Sequence, residues 1–188
     1  DVMVKRDEWK EVQKEMESSR LVFLDESGVN TDMTRRYARA YKGTRAHGSA
    51  PLNKAISTTI LSSIRADGTT VPLVFSGALN REKFKEYLSE NLLPTLKPGD
   101  IVIADNLKAH KGDGILELVA SVGASIVYLP PYSPDFNPIE LMWSKIKAYL
   151  RKVQARTIDS LLDAIPKAFA SIVQQDAIGW FSCDGYSS

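Results

Sequence analysis

Leu21-Val22-Phe23-Leu24-Asp25 and Ile101-Val102-Ile103-Ala104-Asp105 share a plan, four apolar residues in a row followed by an acid. Runs this short, the first stopped by the turn-prone Glu26-Ser27-Gly28, read as buried strands rather than helices. Each strand is expected to end at its carboxylate.

Working outward, residues Arg6 to Ser19 set Trp9, Val12 and Met16 at helical spacing among charges, which predicts a short amphipathic helix before the first strand. Lys54 to Ile64 and Thr69 to Phe75 are rich in Ile, Thr, Val and Leu and flank Asp67-Gly68, so they should pair as an antiparallel hairpin. Phe84, Tyr87, Leu88 and Leu92 keep a helical period between a capping Asn80 and a terminating Pro94. A helix over Gly114 to Val122, with Leu116, Val119 and Ala120 inward, then separates the Ile101 strand from a further strand at Ser125 to Leu129. This alternation favours parallel pairing through helical crossovers. The proline-rich loop Pro130 to Pro134 can be neither helix nor central strand, and it leads to a helix from Pro138 to about Lys152. A last helix, Thr157 to Val173, carries Ile158, Leu161, Leu162, Ile165, Phe169 and Ile172, with Pro166 bending it.

At 188 residues and 44% hydrophobic content the chain suits one domain with one substantial core. Lys plus Arg total 24 against 23 acids, so the net charge of +1 does not by itself announce a nucleic-acid protein. Local distribution has to decide. The lone Cys183 excludes an internal disulfide, there is no apolar run near the ~20 residues that span a bilayer, and the first residues lack a signal-peptide core. A soluble, intracellular protein is expected.

Parallel strands bring the side chains at their ends together, so Asp25 and Asp105 can face one crevice. Asn137 before Pro138 reads as helix cap and first turn, which puts Glu140 at the third helical position, near the positive end of the helix dipole. Three carboxylates with few competing His or Cys suit hard divalent cations, and a pair of such ions supports in-line displacement on phosphorus. Each acid also has a plainer reading. Asp25 and Asp105 can simply end strands, and Glu140 can bond back to a cap as a capping-box partner.

The surroundings of the acids carry a resemblance. Asp25-Glu26-Ser27-Gly28, then Ile103-Ala104-Asp105-Asn106 with His110, then Ser133-Pro134-Asp135-Phe136-Asn137-Pro138-Ile139-Glu140 with Trp143, look like the three catalytic motifs of mariner-superfamily transposases, specifically the bacterial insertion-sequence branch. The 34 residues between Asp105 and Glu140 are the interval typical of that branch. The match runs from about Leu21 to Lys152.

That resemblance implies an α/β, ribonuclease H-like fold, a mixed five-stranded sheet flanked by helices. It also implies a DDE-type catalytic domain that cleaves transposon ends and joins the freed 3′ hydroxyl to target DNA with Mg²⁺ or Mn²⁺, two ions in the site. Carried over by motif, Asp25, Asp105 and Glu140 are the catalytic metal ligands. Glu26 should not substitute for Asp25, because alternation along an extended segment turns it to the other side. His110 has three readings: DNA contact, ordering of the site, or capping of the next helix. Work on two transposon ends implies at least a homodimer, acting on DNA in the bacterial cytoplasm. The family's amino-terminal helix-turn-helix region has no counterpart before Leu21, so residues 1–188 are expected to be a single catalytic domain, a fragment or one of two reading-frame products. Two other functions share the acids: a ribonuclease H-like nuclease or resolvase without joining, and a domesticated, non-catalytic DNA-binding module. The intact acids argue against the second.

Between Arg35 and Arg45 the chain holds five cations and two tyrosines and no acid, which suits phosphate neutralisation with stacking. Arg35, Arg36, Arg39, Lys42 and Arg45 are therefore candidate DNA contacts. On the third-motif helix Ile139, Met142, Trp143, Ile146 and Leu150 form the buried stripe, while Glu140, Lys147 and Arg151 share another face. Lys147 and Arg151 join the candidates.

Overall fold

A computed structural model describes residues 2–35, 37–49, 51, 55–107, 110–112 and 114–186. Helix α1 (Val2–Lys14) leads into β1 (Leu21–Asn30), β2 (Ser57–Arg65) and β3 (Leu73–Phe75). Helix α2 (Arg81–Tyr87), β4 (Ile101–Ala104), α3 (Ile115–Ala120) and β5 (Ser125–Tyr128) follow, then α4 (Ile139–Val153), α5 (Ile158–Ala170) and α6 (Gln174–Cys183). The sheet runs β3-β2-β1-β4-β5, antiparallel on the β1, β2, β3 side and parallel through β1, β4 and β5. It is the mixed five-stranded sheet that the resemblance implies.

Period-two alternation explains why β1 is apolar without interruption at its start. Leu21 and Phe23 pack with Met142, Trp143, Ile146 and Phe181 on one face, while Val22 and Leu24 pack with Phe84, Tyr87 and Val119 on the other. A central strand covered by helices on both sides has no solvent face for polar residues to occupy.

The antiparallel hairpin forms, with Gly68 at φ +87 in its turn, a backbone region that side chains disfavour. Its second strand is shorter than Thr69 to Phe75: Pro72 cannot donate to the ladder, and pairing is confined to three rungs plus a bridge from Ile64 to Thr70. Asn80 caps α2 by accepting from the Lys83 amide at 2.8 Å, and beyond Tyr87 the helix widens into a π turn and tightens to a 3₁₀ turn at Pro94.

Several boundaries differ from the sequence reading. Strand β1 does not end at Asp25 but continues to Asn30, because β2 keeps pairing with it as far as Asn30 opposite Ser57. In α1 the buried residues are Trp9 and Gln13, and Val12 is exposed. Helix α3 starts at Ile115, so its buried pair is Ile115 and Val119, with Leu116 and Ala120 outward. Helix α5 stops at Ala170 with Leu162 exposed, and Gln174 to Cys183 forms a separate helix that periodicity did not single out. Asn137 does not cap α4: its position precedes Pro138, no side chain caps the helix, and Glu140 becomes the second helical residue.

At the end of the sheet away from Asp25, Arg65 of β2 donates to Asp100 at 2.6 Å, and the two side chains are only 14% and 4% exposed. Burial works to raise the Asp100 pKa, yet bonds from Arg65 and the Lys97 amide outweigh it and hold the carboxyl below its usual range. A depressed carboxyl contributes stability above its unfolded pKa and loses it as pH falls through the folded value. Asp100→Asn should cost about 3 kcal/mol at neutral pH by leaving Arg65 buried and unpaired. Urea melts should show that gap closing as the buffer is taken below about pH 4.

Candidate active site

Parallel pairing of β1 with β4 ends at the rung Leu24 opposite Ala104. Asp25 and Asp105 each follow that rung, so two acids 80 positions apart in the chain stand side by side. Asp25 stays inside β1, paired in register with Ser62 of β2, and is 8% exposed. Asp105 leaves its strand for a turn, where its Oδ1 accepts from the Leu107 amide at 3.1 Å. Glu140, exposed in the first turn of α4, shares with Asp105 the wall of a cavity of ≈ 470 Å³ that Asn106, Pro131 and Tyr132 also line.

Alternation along β1 separates the adjacent acids. Asp25 Oδ2 accepts from Trp143 Nε1 at 3.1 Å on the α4 face. Glu26 faces the other way and lies 3.1 Å from His110 Nε2. The indole of Trp143 is thus both core, at 2% exposure, and the partner of a buried carboxylate.

His110 is fully buried, so it makes no direct contact with DNA, and of its three readings ordering of the site is the one its surroundings support. Its Nδ1 lies 2.6 Å from Asp105 and its Nε2 reaches Glu26, neither along a well-aligned N–H direction, so the contacts act as ion pairs. Phe84 lies against the ring at 4.6 Å, and Tyr128 donates to the His110 carbonyl at 2.6 Å. Burial disfavours the imidazolium, but Asp105 and then Glu26 outweigh it and lift the pKa to about 9. One cation therefore ties the end of β4 to β1.

For Asp25, burial above all, then the charges of Glu26, Glu140 and Asp105, push the carboxyl up to about 8. The three motif acids sense one another. Among the described residues, however, no group of three His, Cys, Asp or Glu is arranged to hold a metal ion. Asp25 is turned to Trp143 and Asp105 to His110. In kind the donor set fits a hard divalent cation: three carboxylates, with no thiol, and crowded enough that added positive charge would relieve their repulsion.

The cationic candidates lie elsewhere. Arg35, Arg39, Lys42 and Arg45 are exposed on the irregular excursion between β1 and β2, together with Tyr37 and Tyr41, and Arg36 lies outside the described residues. Lys147 and Arg151 line a cavity of ≈ 390 Å³ with Gly28, Asn30, Asp32 and Thr34, beside the half of β1 that runs past Asp25. Trp143 and Glu26 were not singled out as site residues; the only signal in the sequence was their place inside the motifs. Trp143→Phe keeps an aromatic ring but strips a buried carboxylate of its donor, and should lower stability by about 1–3 kcal/mol in urea melts.

No curated protein matches the chain at a significant level. Among solved structures, the Mos1 transposase paired-end complex with left transposon end aligns with a TM-score of 0.79 at 16% identity, covering 98% of this chain and 62% of that one. The Mos1 strand transfer complex gives 0.74 at 17% identity, with 98% and 62% covered. The catalytic domain of Mos1 mariner transposase gives 0.66 at 12% identity, with 100% and 93% covered. The chain thus spans about three-fifths of the length of the chains in the Mos1 complexes and nearly all of the isolated catalytic domain, whose ribonuclease H-like fold it shares. Residues 20–162, which hold all three motif acids, match one family, and the chain belongs to the DDE superfamily endonucleases.

Proposed function

We propose that residues 1–188 form a single catalytic domain of a transposase, which cleaves DNA at the ends of an insertion-sequence-type element and joins the 3′ hydroxyl to target DNA. The observation that carries this reading is the placement of Asp25 and Asp105 directly after the last parallel rung of β1 and β4, with Glu140 on the wall of the cavity that Asp105 lines, in a chain of the DDE family. The Mos1 structures supply support by likeness, being described as paired-end and strand transfer complexes and as complexes with Mn and with Mg.

Asp25, Asp105 and Glu140 would hold the divalent ions, two of them in this reading, after Asp25 and Asp105 turn from Trp143 and His110. When bound, the ions supply the charge that activates an attacking hydroxyl and stabilises the leaving oxygen at phosphorus. The protein's own part is placement. The β1–β4 ladder sets the two Asp backbones side by side, while Trp143 and His110 hold their side chains in the ion-free protein. Glu140 sits in the first turn of α4, at the positive end of the helix dipole.

Lys147 and Arg151 lie further along α4 than Glu140, in a separate cavity on the side where β1 passes beyond β4. From Glu140 to Lys147 the helix rises roughly 10 Å, about the span of two nucleotides, so these cations suit backbone phosphates next to the scissile one. The exposed Arg35, Arg39, Lys42 and Arg45, with Arg36 in the same run, suit a second stretch of duplex. Two element ends require two sites, hence a homodimer or larger assembly acting on DNA in the cytoplasm. No helix among the described residues is long and apolar enough to cross a membrane.

Incubating the protein with pre-cut element ends, target plasmid and Mg²⁺ or Mn²⁺ separates the possible activities. Joined products are expected; cleavage alone would indicate a nuclease, and no metal-dependent product a binding module. Asp25→Ala, Asp105→Ala and Glu140→Ala should each reduce joining below about one-thousandth of the parent, with the circular dichroism spectrum unchanged. Lys147→Ala and Arg151→Ala should weaken DNA binding regardless of sequence. In fluorescence anisotropy each should also lower the slope of log affinity against log salt by about one.

A further inference from the structure

The loop that delivers Glu140 is poorly able to hold itself. Pro130, Pro131, Pro134 and Pro138 remove four backbone donors between β5 and α4. No side chain caps α4, and Asn137 Oδ1 is buried without a hydrogen-bond partner. Tyr132 holds a left-handed backbone conformation at φ 56, unfavourable for a side chain of its size.

Within the loop the hydrogen bonds are short-range, Phe136 N–H to the Ser133 carbonyl and Asn137 N–H to the Pro134 carbonyl; the long-range ones come from outside the family-matched residues 20–162. Arg6 of α1 donates to the Tyr132 carbonyl at 3.0 Å and to Ser133 Oγ at 2.8 Å. It also forks onto Asp135, at 3.0 and 2.7 Å, while its guanidinium lies 4.7 Å from the Phe136 ring centre. From the other end of the chain, Tyr186 donates to the Phe136 carbonyl at 2.8 Å and accepts from Trp9 Nε1 at 3.0 Å. Gln13 fastens α1 again by donating to the Asp184 carbonyl at 2.7 Å. Trp9 and Tyr186 are both buried, so α1 is anchored to the core and Arg6 extends from a fixed base.

We infer that Arg6 is a positioning residue for Glu140: with α1 anchored through Trp9, Gln13 and Tyr186, it clamps residues 132–136 and so sets where α4 begins and where Glu140 stands. The inference rests on the reading of Glu140 as a metal ligand. A single exposed ion pair adds little. Here one guanidinium satisfies a carbonyl, a hydroxyl and a carboxylate and stacks on a ring within five consecutive residues, which an ammonium cannot do. The same grip steadies Tyr132, a residue 88% exposed on the cavity wall shared by Asp105 and Glu140.

The test uses Arg6→Gln and Arg6→Lys in the full chain. Amide hydrogen exchange over residues 132–141, measured without metal or DNA, should quicken about tenfold in both variants while the sheet amides keep their protection. Half-saturating Mn²⁺, followed by the electron paramagnetic resonance of the free ion, should rise about fivefold or more. In the joining reaction kcat should fall about tenfold with KM for pre-cut ends unchanged, and lysine should not rescue it. Unchanged loop exchange and Mn²⁺ binding in folded Arg6→Gln would overturn the clamp, as would a loss carried by KM alone. If Arg6→Gln does not fold, Asp135→Asn carries the same expectations from the loop side. A parent chain that binds no Mn²⁺ would sink the metal reading of Glu140, whereas the exchange arm tests the clamp independently of metal.

Discussion

Everything about the site depends on the pairing of β1 with β4. Four rungs of parallel ladder, Leu21 to Leu24 against Ile101 to Ala104, fix two acids from distant parts of the chain at the same height on neighbouring strands. The ladder is secured by burial on both faces, because every side chain along β1 up to Leu24 belongs to a core and none is exposed. A shift of one rung would uncover apolar surface and at once part the carboxylates, so the packing that stabilises the sheet also sets the spacing of the acids.

Such a site is electrostatically uncomfortable without positive charge. Four acids gather around the middle of β1, and burial first, then their mutual repulsion, push the Asp25 carboxyl up to about 8. His110 offsets part of this from below, as a buried cation between Asp105 and Glu26. Trp143 offsets another part with a neutral donor. Neither partner is strong enough to neutralise the set, which leaves it suited to receive cations. Sites that must bind charge commonly retain this sort of unresolved repulsion in the free protein.

The sequence made the sheet legible because the core strands are short, apolar and bounded, and because Asp67-Gly68 and Asn80 are strong local punctuation. Where it misled, a partner element overrode the local signal. Glu26-Ser27-Gly28 looks like a turn, but β2 supplies hydrogen bonds that carry β1 past it. Asn137 looks like a cap, but a 3₁₀ turn over Pro134–Phe136 brings the chain in so that the helix opens one residue later. The motif acids were legible through their neighbours in the chain. The contacts of Arg6 were not, since they cross more than 120 positions and no local pattern records them. The burial of His110 was equally hidden, as it depends on Phe84 and Tyr128 from other elements.

Asp25 and Glu26 stand back to back on a strand, one toward α4 and one toward His110. Their roles are consequently assigned by parity, by odd or even position, and not by chemistry, as both are carboxylates. A single-residue insertion or deletion ahead of them that kept the ladder in place would exchange their faces, handing the α4 side to the longer acid. A change of two would restore the faces but carry both acids two positions along β1, out of step with Asp105, so neither parity nor height leaves room for a change in length ahead of them.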